Sequence, residues 1–201
     1  DPAALAAFDA LDGSALTRPL TILATADEET SMAGARALQA AGRRLGRYAI
    51  IGEPTGLQPI AMHKGVAQLG VALLGRSGHA SNPALGNSAL DGMRRVLNAL
   101  DDWRGALARE HIDDAFDVPY PTVNFGAIHG GDNANRICGH CELLLDMRFV
   151  PGQDPAATLV ALRETVTGAV AGTGLGCELR ELMEPIPAYA TARDGLIGHA
   201  G

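Results

Sequence analysis

Cysteine is scarce in this chain. Cys138, Cys141 and Cys177 cannot all pair and form no disulfide framework, so a reducing, cytoplasmic setting is expected. Long apolar runs are missing as well: none approaches the roughly 18–20 residues that span a bilayer, which excludes a helical membrane span in this sequence. No signal peptide is legible at its start. Positive charge is in deficit, with 16 Lys and Arg against 23 Asp and Glu, a formal net charge of -7 and no basic cluster. That balance argues against nucleic acid or an anionic membrane as partner. Aromatics are few, at 4% of 201 residues, yet a hydrophobic content of 47% is enough for a sizeable core. The 25 Gly and 11 Pro suit a loop-rich α/β protein.

What is present begins with Thr25-Ala26-Asp27-Glu28-Glu29-Thr30. The short apolar run before it, Leu20–Ala24, lacks alternation and reads as a strand buried on both faces of a parallel sheet. Ser31–Ala41 is a good helix former stopped by Gly42, and Tyr48–Pro54 reads as a second buried strand that again ends in a carboxylate, Glu53. An Ala-rich helix over Asp1–Leu16, ending near Gly13, precedes this strand–helix–strand unit. Ligands of open α/β sheets bind at the carboxyl ends of the strands. Two adjacent carboxylates there repel each other unless a cation compensates. Glu28, Glu29 and Glu53 are therefore candidates for a divalent-metal site with a base beside it. A solvated acidic loop is the plain alternative.

Beyond about residue 62 the pattern changes. Val66–Leu74 is a strand with Leu69, Val71 and Leu73 on one face. Asn87 and Ser88 can cap a helix with Leu90, Met93, Leu97, Leu100, Trp103 and Leu107 at helical spacing. Pro121–Ile128 is a strand, and Glu142–Phe149 alternates charged residues with Leu143, Leu145, Met147 and Phe149. Asp154-Pro155 caps a second helix marked by Leu159, Leu162, Val166 and Val170, and Cys177–Leu182 is a last strand. The order is that of a split βαβ, ferredoxin-like module.

Ala24–Ser31, Gly52-Glu53-Pro54-Thr55 and Gly75-Arg76-Ser77-Gly78-His79-Ala80-Ser81 together resemble the dinuclear-metal amidohydrolases, a group of amino-acid deacylases and carboxypeptidases. Within that group, Thr25–Ala35, Ile51–Thr55, His63-Lys64-Gly65, Val118–Thr122 and Ile128–Cys138 are similar to the acetylornithine deacetylases. The resemblance implies an α/β chain in three parts. These are part of a parallel-sheet, zinc-peptidase-like catalytic domain (1–62), a ferredoxin-like βαββαβ lid and dimerisation domain (63–183), and a segment returning to the catalytic domain (184–201). It implies metal-dependent hydrolysis of N2-acetyl-L-ornithine, a step of arginine biosynthesis, with succinyl-diaminopimelate or other N-acyl amino acids as alternative substrates. Two divalent ions, zinc or cobalt, and a homodimer formed through the lid are implied too. Glu28 matches the general base, and Glu29 and Glu53 match metal ligands, one on each ion. His79 matches a histidine that reaches into the partner subunit's site and polarises the scissile carbonyl. Asn135 and Arg148 match lid residues that hold the substrate, Arg148 through its carboxylate, and Lys64 matches a basic residue that meets the same carboxylate.

Simpler readings stand beside these. His79 fits an exposed turn, Asn135 a turn residue, and Arg148 an ion pair with the acidic residues of its own strand face. A purely associative module, pairing two chains without chemistry, is the alternative to an enzyme. Cys138-Gly139-His140-Cys141 imitates a thiol redox motif, but an alternating strand follows it where that chemistry needs a helix N-terminus. The family's fold carries five protein ligands. No His-x-Asp precedes Glu28, and nothing after Ile186 resembles the segment that supplies the last histidine. The chain is therefore expected to be a fragment, inactive by itself and a poor holder of metal.

Overall fold

Alternation along Glu142–Phe149 sets the larger sheet, because burying one side of that run commits the other side to solvent. The computed structural model describes residues 2–11, 13, 16–28, 32–43, 45–56 and 58–191. Its elements are α1 (Pro2–Asp9), α2 (Ala33–Ala40), β1 (Met62–His63), β2 (Gly65–Leu74), α3 (Ala89–Glu110), β3 (Thr122–Gly130), β4 (His140–Phe149), α4 (Pro155–Ala169), β5 (Gly176–Glu181) and β6 (Tyr189–Ala190). Contacts divide the chain into two compact units, residues 61–192 and the remainder.

In the larger unit the strands lie in the order β3-β4-β2-β5, antiparallel throughout. With the chain order β2-α3-β3-β4-α4-β5, this is the ferredoxin-like βαββαβ arrangement. Leu69, Val71 and Leu73 of β2 and Leu143, Leu145, Met147 and Phe149 of β4 form one buried cluster with Met93, Val96 and Leu100 of α3 and Leu162 and Val166 of α4. The helix starts follow their caps: the Ser88 hydroxyl accepts from the Asp91 N–H at 3.1 Å, and the Asp154 carboxylate accepts from the Ala156 N–H at 2.9 Å. Leu90, expected on the core side of α3, is half exposed, and Ala89, Gly92 and Val96 take that side instead. The buried stripe follows 89, 92/93, 96 and 100, which turns position 90 away from the sheet.

A second ladder pairs β1 with β6, and Ile186 bridges to Val66. The backbone of Ile186–Ala188 comes so close to Gly65 that a Cβ there would lie 2.5 Å from the Ile186 carbonyl oxygen. Only glycine admits that approach.

The smaller unit departs from expectation. Leu20–Ala26 and Tyr48–Pro54, read from sequence as buried parallel strands, form no ladder. Ile22, Leu23, Ile50 and Ile51 are exposed there, Ile50 at 86%. A parallel strand needs ladder partners and helices over both faces, and the described part of this unit supplies only α1 and α2. The Ala-rich opening is helical over a shorter span than expected, α1 ending at Asp9, while Gly42 takes φ 64° just beyond α2 as the sequence suggests.

The core assignment is tested by truncation. Leu162→Ala should lower the unfolding free energy by about 2–5 kcal/mol in urea titration, and Leu90→Ala by less than about 0.5 kcal/mol. Equal losses would contradict the placement of the core.

Candidate functional site

Two loops meet at one end of the large sheet. The segment after β2 and the segment before β4 are stitched by Gly75 N–H to Gly139 O at 2.9 Å, Ile137 N–H to Gly78 O at 2.8 Å and Ala80 N–H to Asn135 O at 2.9 Å. These bonds bring His79 and Asn135 together on the surface, with His79 bridged to Arg136. Ser81 fixes the imidazole, since its backbone N–H donates to His79 Nδ1 at 3.2 Å and its hydroxyl lies 2.8 Å from the same atom. An amide N–H can only donate, so Nδ1 accepts, and the neutral ring carries its proton on Nε2. The ring thus offers a hydrogen-bond donor to solvent. Asn135 sits in a turn whose N–H donates to Asn133 Oδ1 at 3.2 Å, and Arg136 pairs with Asp132. Leu90, Gly130, Gly131 and Cys138 complete an open depression of about 500 Å³ beside this turn.

Arg148 lies at the other end of β4. The sheet face opposite the helices carries Glu142, Asp146 and Arg148, none of which belongs to the buried core cluster. Arg148 Nε and Nη2 donate to the two Asp146 carboxylate oxygens at 2.8 and 3.2 Å. Gln68 of β2 donates to Asp146 Oδ2 at 3.1 Å. The ion-pair alternative seen in the sequence is therefore present. Toward the middle of the face, Arg180 of β5 reaches over β2 to Glu142, its Nη2 at 2.6 Å. This bond, with further help from the charges of Arg180, His140 and His129, holds the Glu142 carboxyl below the usual carboxylate range.

Lys64, between β1 and β2, donates to Val118 O at 2.6 Å and Tyr120 O at 2.7 Å, and its ammonium lies 5.5 Å from the Phe116 ring centre. Burial pushes that ammonium below the usual lysine value, while the charge of Asp113 pulls it back up. Its bonds hold the loop before β3, at the Arg148 end of the sheet where Gly65 and Phe149 pair. About 27 Å of strand, eight residues at ~3.4 Å each, separates His140 from Arg148. The large unit therefore brings His79 and Asn135 together, and keeps Arg148 and Lys64 far from them.

In the smaller unit Glu28 follows Asp27, which has φ 59°, a left-handed conformation that costs a non-glycine residue energy and that clusters at functional sites. Glu28 and Glu53 are both exposed, and Glu29 lies outside the described residues, as does His199. Among the described residues no group of three or more His, Cys, Asp or Glu is arranged to hold a metal ion, so they do not by themselves fit a dinuclear centre. Cys138 and Cys141 are buried where β4 begins, and burial, followed by the neighbouring Cys138, pushes the Cys141 thiol up. A protonated, buried thiol suits no redox role. No helix among the described residues is long and apolar enough to cross a membrane.

Sequence reasoning did not assign Ser81, Gln68, Asp146 or Arg180 to this site. The available signals were positional: Ser81 two residues after His79, and Asp146 two residues before Arg148 on one strand face.

Residues 61–171 match the peptidase dimerisation domain of the M20 group. The chain is 46% identical over 187 residues to the acetylornithine deacetylase of Photorhabdus laumondii, covering 92% of this chain and 48% of that protein. It is likewise 46% identical over 184 residues to the acetylornithine deacetylase of Proteus mirabilis, with the same coverage of both chains. The chain thus spans about half the length of the relatives it matches. Among solved structures, a hydantoinase/carbamoylase family amidase from Burkholderia ambifaria is similar with a TM-score of 0.57 at 18% identity, over 70% of this chain and 33% of that one. A tripeptidase from Staphylococcus aureus is similar with a TM-score of 0.54 at 17% identity, over 72% and 35%. At such identities these likenesses show the fold.

Nitrogen NMR at a pH where His79 is neutral should find the Nε2–H tautomer, and an Nδ1–H ring would contradict the Ser81 arrangement. Arg180→Met should raise the Glu142 titration midpoint toward the ordinary glutamate value, followed by carboxyl NMR. Because the folded carboxyl titrates below its unfolded value, the pairing's stabilisation is present above that ordinary value and fades as pH falls through the lowered one. An unchanged midpoint would contradict the pairing.

Proposed function

Because this chain belongs to the M20 peptidase dimerisation domain family, we propose that it is part of a metal-dependent amidohydrolase that converts N2-acetyl-L-ornithine to ornithine and acetate in arginine biosynthesis, in the cytoplasm. The name shared by relatives that match 92% of the chain supports the substrate. The observation that carries the reading is the separation of His79 and Asn135 from Arg148 along one sheet. Groups held at opposite ends of a rigid sheet serve one substrate only if they come from different chains. In a homodimer each substrate meets His79 and Asn135 of one protomer and Arg148 of its partner.

The dimer that does this would form through the lid. β3 is an edge strand of nine residues, and beside it Leu97, Phe125, Ala127, Ile128 and Leu143 line an apolar groove of about 340 Å³. Ile128 is 48% exposed there. An unpaired edge with an apolar flank favours pairing with a second copy, and a two-fold axis makes such an interface self-complementary.

Within the composite site the residues divide the work. Arg148 holds the substrate carboxylate through the guanidinium N–H groups that Asp146 leaves open. Asn135 adds neutral hydrogen bonds, and Lys64 adds positive charge near Arg148. His79 Nε2–H donates to the carbonyl oxygen as negative charge develops on it. Glu28 takes the proton from the attacking water. Glu29 and Glu53 would contribute to holding two divalent ions, zinc or cobalt, in a centre that the described residues do not assemble. This chain alone is accordingly expected to be inactive.

Complementation in the full-length gene product tests the composite site. At substrate concentrations far below their raised KM, His79→Ala and Arg148→Met homodimers should each be nearly inactive, and mixing them with subunit exchange should restore about a quarter of wild-type activity, since half the dimers then hold one intact site. No recovery, with exchange verified by mass, would place both residues in one protomer's site.

A further inference from the structure

We propose that Asp146 is a positioning residue that sets the guanidinium of Arg148 for a ligand carboxylate, with Gln68 bracing Asp146 from the neighbouring strand. The proposal rests on the reading of Arg148 as the carboxylate-binding group. Asp146 accepts from both Nε and Nη2 of Arg148, at 2.8 and 3.2 Å, along one side of the planar group. A guanidinium has five N–H donors, and this side-on grip uses two of them. The end-on fork formed by Nη1 and the second Nη2 hydrogen stays free, in the geometry that receives a carboxylate with two parallel bonds. Gln68 Nε2 donates to Asp146 Oδ2 at 3.1 Å, so the carboxylate is itself held from β2. Register explains the brace: Gln68 stands opposite Asp146 in the β2–β4 ladder, and Val66 opposite Arg148.

An exposed arginine, 47% accessible here, would otherwise sample many rotamers, and each must be given up when ligand binds. With Asp146 in place, much of that ordering precedes binding. Asp146 also offsets part of the Arg148 charge. It therefore acts through geometry and not through added attraction.

The test is a double-mutant cycle in the full-length gene product, with N2-acetyl-L-ornithine as substrate. Asp146→Asn keeps the shape but turns an amide N–H toward Nη2, and should raise KM about tenfold while kcat stays within about twofold. In an Arg148→Met background the same change should do nothing further. Gln68→Met, which leaves both members of the ion pair in place, should raise KM in the same direction by about threefold, and serves if Asp146→Asn melts early. Wild-type KM in Asp146→Asn and Gln68→Met, with a raised KM in Arg148→Met, would overturn this proposal and leave the reading of Arg148 standing. So would an Asp146→Asn effect of equal size in the Arg148→Met background. An Arg148→Met enzyme with wild-type KM would remove the reading of Arg148 itself, and this proposal with it.

Discussion

Everything in the larger unit hangs on the two-residue period of β4. Leu143, Leu145, Met147 and Phe149 are at most 2% exposed, packed toward α3 and α4 between two flanking strands. Moving that register by one residue would bury Glu142, Asp146 and Arg148 together, a cost no local pairing offsets. The burial of four apolar side chains therefore fixes where the charged ones stand. Glu142 meets Arg180, Asp146 meets Gln68, and Arg148 lies along Asp146. Packing and proposed chemistry are two sides of one strand.

The same sheet acts as a spacer. Its strands are antiparallel neighbours, β2 and β4 paired from Gly65–Phe149 to Leu74–His140, so its two ends do not approach each other. The loops beyond β2 and before β4 are welded by backbone bonds at one end, and Lys64 ties the loop before β3 at the other. A rigid spacer of this kind, with an open edge strand alongside, suits a protein whose site is shared between copies.

Much of this was legible in the sequence. Strict alternation in Glu142–Phe149, the caps at Ser88 and Asp154 and the spacing of Leu162 and Val166 specify their elements locally, and the structure follows them. Leu20–Ala26 and Tyr48–Pro54 were not decided locally. Their apolar runs suit a buried strand, but a parallel strand exists only with partners and cover on both faces, which the described residues of that unit do not provide. The site divides the same way. Glu28, Glu53, His79, Asn135, Lys64 and Arg148 could be named as candidates, yet the distribution of His79, Asn135, Lys64 and Arg148 over the two ends of the large sheet follows from the strand order, which no short motif encodes. Asp146, Gln68 and Ser81 act on neighbours through single hydrogen bonds, a relation visible only once the ladder register is known.

A distance between chains tests the shared site most directly. Full-length protein would be prepared in two forms, one spin-labelled at position 79 and one at position 148, each label replacing the native side chain, and the two mixed with subunit exchange. Within one chain these positions lie at opposite ends of β4, which runs roughly 27 Å from His140 to Arg148. The expected result of pulsed dipolar spectroscopy is a 79-to-148 distance between protomers well below that intrachain separation. An interprotomer distance equal to or longer than the intrachain one would contradict a site shared by His79 of one copy and Arg148 of the other.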